Sequence, residues 1–300
     1  MFKSVLPALL LLLGAGTPWP GKAEIVHSER SLYRNIMVED KGDLRCLRFN
    51  VKQKKSNQSC LYKSQPQQLV FNYTKLLFSG LILNSQPERI LIVGLGGGTM
   101  SNTLHQLYPD ARIDNVEIDP AVIKVAREYF GFFENERVTA IDQDGRLFIK
   151  RALMKKQQYD WIILDAFNGE YIPEHLLTRE FLQEAKQLLS DNGVLTSNTF
   201  SNSGLYAYES ATYYDVFGDY FNVRNSVNEN RIILTAKQPL PDMKILSRRL
   251  DDLDKRLKPY GVNIKVIFAL MTQASQEKDW PEDTRVLTDQ YSPANLLNID

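Results

Sequence analysis

Soft metal ligands are scarce in this chain: 300 residues hold two cysteines and three histidines. Cys46, Cys60, His27, His105 and His175 are too few and too scattered for a zinc centre, so no metal is expected. An excess of either charge is lacking too. Lysine plus arginine and aspartate plus glutamate both number 36, which leaves no basic balance to draw nucleic acid. Beyond residue 23 no segment is long and apolar enough to cross a bilayer, and no stable membrane span is expected there. No G-K-[ST] phosphate loop is present, which argues against a nucleoside triphosphate. No Ser-His-Asp set with a nucleophile elbow supports hydrolysis. Repeats and low-complexity tracts are missing as well.

What is present begins with a leader. Lys3, the apolar run Val5–Leu13 and the small-residue end Gly21-Lys22-Ala23 have the anatomy of a secretory signal peptide cleaved after Ala23. The expected location is therefore periplasmic or secreted, the alternative being a chain anchored by an uncleaved N-terminus. Both cysteines lie beyond the leader and flank the polar stretch Gln53–Gln58. If their flanks pair as a hairpin about Lys52–Lys54, Cys46 and Cys60 face each other, and an exported chain is expected to oxidise them.

The richest stretch is Ile90–Asp119. An apolar run, Ile90–Val93, enters glycines at 94, 96, 97 and 98, a helical pattern follows through Leu104 and Leu107, and a second apolar strand ends at Glu117. A strand, a glycine turn, a helix and a strand closing on a carboxylate make the layout of a nucleoside-binding βαβ unit. Glycines let the backbone approach the ligand, and Glu117 can accept hydrogen bonds from both hydroxyls of a ribose. The third glycine of G-x-G-x-G comes one residue earlier than in the dinucleotide fingerprint.

Around this unit the pattern sorts into three expected parts: a signal peptide over 1–23, a small β-rich N-terminal domain with a linking helix over 24–86, and a nucleoside-binding catalytic domain over 87–300. Short alternating runs fill Ile25–Gln68, and Pro66–Ser85 reads as one helix with Leu69, Tyr73, Leu76, Leu77 and Leu81 on a face. Strand-like runs recur at Ile90–Val93, Ile113–Ile118, Val138–Ile141, Trp161–Leu164 and Val194–Thr199. Helical stretches at Pro120–Phe130, Gly145–Lys155 and Thr178–Leu189 separate them. Such alternation predicts a mostly parallel, doubly wound α/β sheet. Phe221–Val227 and Arg231–Ala236 read as a closing hairpin, Leu240–Tyr260 as helical, and Met271–Pro281 as surface loop.

In open α/β sheets the ligand sits beyond the carboxyl ends of the strands. Those ends carry Gly94–Gly98, then Glu117 and Asp119, then Asp142–Gly145, then Asp165–Gly169. Helix N-capping is the competing reading for Asp119 and Asp144. Together with E-I-D-P at Glu117–Pro120, these segments resemble the spermidine/spermine synthase family of polyamine aminopropyltransferases, and especially its divergent bacterial branch. The resemblance is specific over Ile90–Phe200, weaker over Ile25–Gly80, and returns in Leu287–Pro293, similar to an L-T-D-D-Y-x-P close.

The resemblance implies a Rossmann-like S-adenosylmethionine-type fold with a small N-terminal β domain. It implies a nucleoside sulfonium co-substrate, decarboxylated S-adenosylmethionine or S-adenosylmethionine itself, held by Gly94, Gly96, Gly98, Glu117, Asp119, Asp144 and Gly145. Glu117 matches the ribose-binding acid, and Asp144-Gly145 a D-G pair whose Asp binds the adenine amino group. Asp165 matches the Asp that opens D-S-S-D-P and helps to deprotonate the attacking amine. The partner is then a small-molecule amine, and a homodimer follows from the resemblance alone.

Three acids of the family are missing. Its G-G-G-D-G-G motif has Asp where this chain has Gly97, its second D-S-S-D acid corresponds to Asn168, and of D-E-x-x-Y-x-E only Tyr73 is kept. Tyr73, Asn168 and Glu170 are the substrate-binding candidates; Glu170 and Glu174 can compensate for the lost acids or simply be solvated. His175 and Thr178 read as helix-start residues, and Ser197 and Thr199 are a weak hint of a site. A methyltransferase using S-adenosylmethionine is the alternative reading. A catalytically silent nucleoside-binding protein is a third, favoured by export, because such donors are made in the cytosol.

Overall fold

The computed structural model describes residues 23–51, 54–167, 171–224 and 229–293, without the side chains of 50, 51 and 54–56. The leader lies outside these residues, as do Asn168 and Glu170. Four strands open the described chain: β1 Glu24–Arg30, β2 Asn35–Lys41, β3 Leu44–Val51 and β4 Lys54–Tyr62, an antiparallel meander in that order. Alternate apolar residues on one face make this sheet: Ile36 and Val38, Leu47 and Phe49, and Leu61 pack onto Val122, Val125 and Phe130 of a helix of the larger sheet. Cys46 and Cys60 are direct partners across β3 and β4, with Cα atoms 4.1 Å apart, and are joined by a disulfide.

The expected helix over 66–85 is instead two short ones, α1 Asn72–Leu77 and α2 Gly80–Leu83. Gly80 lies against the Trp161 indole, where a Cβ would come within 2.5 Å, and the backbone tightens there into three-residue bonds such as Leu81 N–H to Phe78 C=O. Sequence periodicity carries no sign of that contact.

Next come β5 Arg89–Val93, α3 Thr99–Leu107, β6 Arg112–Glu117, α4 Pro120–Phe130, β7 Val138–Asp142, α5 Gly145–Met154 and β8 Tyr159–Leu164. A 3₁₀ turn at Glu174–Leu176 leads to α6 Arg179–Leu188, β9 Leu189–Phe200, α7 Tyr206–Phe217, β10 Phe221–Arg224 and β11 Asn230–Ala236. The last elements are α8 Met243–Ser247, α9 Leu250–Leu257, α10 Ile264–Ala269 and β12 Met271–Gln273. The sheet runs β12-β10-β11-β9-β8-β5-β6-β7, parallel from β9 to β7 and antiparallel from β9 to β12. This is the expected Rossmann-like sheet, buried on both faces; one face packs on α1, α2, α3 and α9, the other on α5, α6 and α7.

Local signals set α4 where the sequence places it. Asp119 caps its N-terminus by accepting from Ala121 N–H, Pro120 opens it, and Gly131 ends it in the left-handed region. A second expectation fails besides the helix over 66–85. Met271–Pro281 is not simply surface loop: its first three residues pair with β10 as the sheet edge, and Trp280 is buried in a stack on Tyr220. A three-residue strand is too short to show a period.

Candidate active site

The sheet order reverses at β5, which has β6 on one side and β8 on the other, and strands diverge there to leave a crevice at their carboxyl ends. A cavity of about 310 Å³ occupies that place. Its floor is Gly94, Gly96, Glu117, Asp165 and Ala166, and its roof comes from the N-terminal sheet through Tyr33, Arg34, Phe49 and Gln58.

The glycine turn is sterically compelled. Gly94 has φ of 101°, and a Cβ on it would lie 2.2 Å from the Asp165 carbonyl oxygen, so only glycine lets β5 and β8 close together here. Gly97 is pressed from the other side: a Cβ would meet Ser59 Oγ at 2.8 Å and the Phe130 ring at 2.9 Å. Gly98, placed among the ligand-binding residues by its motif, caps α3 beneath Phe132 and does not line the cavity.

Glu117 is buried at the end of β6. Its Oε2 accepts from Leu95 N–H and its Oε1 from Asp119 N–H, both at 3.1 Å. Burial raises its pKa, opposed by the Leu95 N–H, the Arg34 charge and the Asp119 N–H. A carboxylate has about four acceptor positions, so two remain for a diol at the cavity. Asp119, two residues on, is fully buried and is not among the residues that line the cavity. Its Oδ1 caps α4 and its Oδ2 accepts from Ser31 Oγ at 2.6 Å, so its carboxylate ties down the β1–β2 turn.

Asp144 and Gly145 line the opposite end. Asp144 caps α5 through Leu147 N–H at 2.9 Å, and its other oxygen meets His175 Nε2 at 2.8 Å. The histidine bond is the main cause, ahead of the helix N–H groups, of its lowered pKa. His175, read from sequence as a helix-start residue, stands on the 3₁₀ turn and lines the cavity; Thr178 does cap α6, by accepting from Phe181 N–H. Nothing in the sequence pairs His175 with an acid 31 residues earlier.

Asp165 follows β8. Burial pushes its carboxyl up to about 7, against a hydrogen bond of 2.8 Å from Asn198 Nδ2. Tyr73 of α1 lines the same cavity; burial first, and the Asp165 charge second, raise its phenol pKa, and its hydroxyl reaches the Gln58 carbonyl at 3.4 Å. The weak hint at Ser197 and Thr199 brackets the right residue: Asn198 between them contacts Asp165, while Thr199 bonds Arg231.

Arg34 was not legible in sequence, where it reads as one more polar turn residue. Its guanidinium stacks on Phe49 at 4.4 Å and donates to the Phe167 carbonyl at 3.2 Å, and its Nε lies 3.6 Å from Asp119. It joins the β1–β2 turn to the segment after β8 across the cavity. The Leu287–Pro293 motif, by contrast, is a clasp. Asp289 and Glu184 each grip Arg146 with two bonds of 2.6–2.9 Å, and Thr178 Oγ1 donates to Asp289. Among the described residues no group of three or more His, Cys, Asp or Glu is placed to hold a metal ion, and no helix is long and apolar enough to cross a membrane.

Known proteins resemble this chain in sequence and fold. A family model described as the spermine/spermidine synthase domain matches residues 71–227. A polyamine aminopropyltransferase of Vibrio vulnificus is 47% identical over 279 residues, 92% of this chain and 92% of that protein. A crystal structure of a probable spermidine synthase from Corynebacterium glutamicum superposes with a TM-score of 0.69 over 90% of this chain and 98% of its own, at 21% identity, a likeness of fold. Human methyltransferase-like protein 13 in complex with SAH superposes at 0.57 with 27% identity, over 63% of this chain and 93% of that one.

Proposed function

This chain belongs to the spermine/spermidine synthase family, and from that membership we propose that its cavity transfers an aminopropyl group from decarboxylated S-adenosylmethionine to a small amine. The chain is a transferase of the aminopropyltransferase type. The observation that carries the assignment of roles is Asp165, a carboxyl held near pH 7 on the same cavity wall as Glu117 and the glycine turn.

The donor supplies an electrophilic carbon beside a sulfonium. Glu117 takes its ribose hydroxyls, and Asp144 with Gly145 takes the base at the far end of the cavity. Asp165 accepts a proton from the acceptor ammonium, because only the free amine has a lone pair to attack. A group with pKa near 7 is a stronger base than an ordinary carboxylate and is still about half ionised at neutral pH. The amine forms its new N–C bond as the C–S bond breaks, and sulfur departs as a neutral thioether that needs no acid. Tyr73 and Phe49 line the cavity around the reacting region.

The acceptor is less cationic than a diamine. Arg34 brings a positive charge into the roof, position 97 has no room for an acid, and Asp165 is the base. Export of the protein is supported by its leader-like N-terminus and by the Cys46–Cys60 disulfide. Calorimetric titration with decarboxylated and ordinary S-adenosylmethionine, followed by mass analysis of the amine product, tests the proposal. Tighter binding of the decarboxylated donor and an aminopropylated product are expected; a methylated product would make this a methyltransferase, and binding without product a silent nucleoside-binding protein.

A further inference from the structure

The sheet beyond Asp165 holds a second pair of polar side chains that the proposed reaction does not yet use. Asn198 on β9 is 2% exposed, too buried for its amide to be satisfied by bulk water. Its Nδ2 donates to Asp165 Oδ1 at 2.8 Å, and its Oδ1 accepts from Asn230 Nδ2 at 3.0 Å. The two asparagines sit on antiparallel neighbours in a register that pairs Asn198 with Ile232 and Phe200 with Asn230. They are therefore diagonal neighbours on one face, within side-chain reach. The opposite face at this place is closed by the buried Arg231–Glu209 pair, with Arg231 also bonded to Thr199 and Ser210.

The order of donors matters. An amide has one accepting and one donating end, and a carboxylate only accepts. Because Asn230 donates into the Asn198 oxygen, the Asn198 NH₂ is turned toward Asp165. With the amide reversed, an oxygen would face a carboxylate oxygen. Among the described residues Asp165 Oδ2 accepts no hydrogen bond, and the residue lines the cavity.

We propose that Asn198 and Asn230 are positioning residues for the base: a directional amide relay holds one oxygen of Asp165 and leaves the other to take the proton of the incoming amine. The proposal rests on the reading of Asp165 as the base. The relay also stabilises the ionised carboxylate, against burial. The other charged or titratable groups around Asp165 are Tyr73 of α1, Arg34 on the Phe167 carbonyl, and Glu117, Asp144 and His175 of the cavity lining. None of them belongs to the relay.

The test uses the full-length protein with Asn198→Leu, Asn230→Ala and Asn230→Asp. Two measurements are made on each: the acid limb of kcat/KM against pH, and the pH dependence of urea stability relative to the same variant carrying Asp165→Asn. The second reads the titration of Asp165 without any reaction. Asn198→Leu is expected to move the midpoint to higher pH by about one unit, lowering kcat/KM at pH 7 about fivefold while donor Kd stays constant. Asn230→Ala moves it less in the same direction. Asn230→Asp, which offers an acceptor where the relay needs a donor, moves it further than Ala does. Midpoints unmoved in folded Asn198→Leu, or in both Asn230 variants if Asn198→Leu does not fold, overturn the relay. An absence of any transfer with shifted stability midpoints would instead overturn the assigned reaction and leave the relay standing.

Discussion

Replacing Asp165 by asparagine should make the protein more stable and almost inactive, and the size of the first effect follows from the site. The ordinary carboxyl value is 3.8, and burial carries Asp165 to about 7 in the folded chain. Each pH unit of difference between folded and unfolded states is worth about 1.4 kcal/mol, so the gap amounts to about 4 kcal/mol at full ionisation. The sign is that of a raised carboxyl. Its favourable contribution is complete below the unfolded value and is lost as pH rises through about 7, so at pH 8 the folded chain carries an ionised group that burial penalises. Asparagine keeps an oxygen to accept from Asn198 and removes the charge. Because the side chain faces a cavity that water enters, part of the full value is recovered, and a gain of at least about 1 kcal/mol is expected at pH 8. Equilibrium urea unfolding of both proteins from pH 5 to 9 measures it. The difference should already be present in part at pH 5, above the unfolded carboxyl value, grow up to about pH 7 and level off beyond it, while transfer falls by roughly 100-fold or more at every pH. A variant no more stable than the parent at pH 8, or a difference independent of pH, would refute the reasoning that burial destabilises the base.

Four further outcomes are expected. Glu117→Ala should weaken binding of the adenosyl donor by about 2–3 kcal/mol, roughly 30- to 150-fold by calorimetry, with the fold intact by circular dichroism; unchanged affinity would reject the ribose assignment. Natively exported protein should show one intramolecular Cys46–Cys60 bridge by mass spectrometry before and after reduction, and reduction should cost about 3 kcal/mol for a closed loop of this length. Gly97→Asp should not restore an acidic handle: its Cβ meets Ser59 and Phe130, so unfolding at about 1–3 kcal/mol lower stability is expected in place of better diamine turnover. Putrescine should be a poor acceptor, since a second buried ammonium needs its own anion, and Asn168→Asp should recover turnover; rates of about 1 per second or faster in the parent would show that the lost acids do not matter.

Much of the fold was readable because its causes are local. Asp119, Pro120 and Gly131 delimit α4 within the chain itself, and the alternation of Ile36 with Val38 and of Leu47 with Phe49 belongs to two adjacent strands. The glycine turn and Glu117 lie on one βαβ unit, so their neighbourhood followed from spacing. The polar gap between Cys46 and Cys60 was enough to foresee a hairpin that opposes them. Where the structure departs from the sequence pattern, a distant contact is the cause. The helix expected over 66–85 breaks where Gly80 meets Trp161, and Met271–Gln273 becomes a strand only because β10 offers it an edge.

The sequence by itself determined which groups stand at the strand ends: the glycines, Glu117, Asp144 and Asp165. Tertiary structure decided what each became. Asp119 turned inward to hold Ser31, Asp144 found His175, and Arg34 crossed from the small sheet to the segment after β8. Asp165 acquired a pKa near neutrality from its surroundings and an amide relay from strands 33 and 65 residues further on in the chain. Backbone conformation is set mostly by neighbours in the chain, whereas burial and hydrogen bonding are set by neighbours in space. Only the order of strands in the sheet brings those spatial neighbours together.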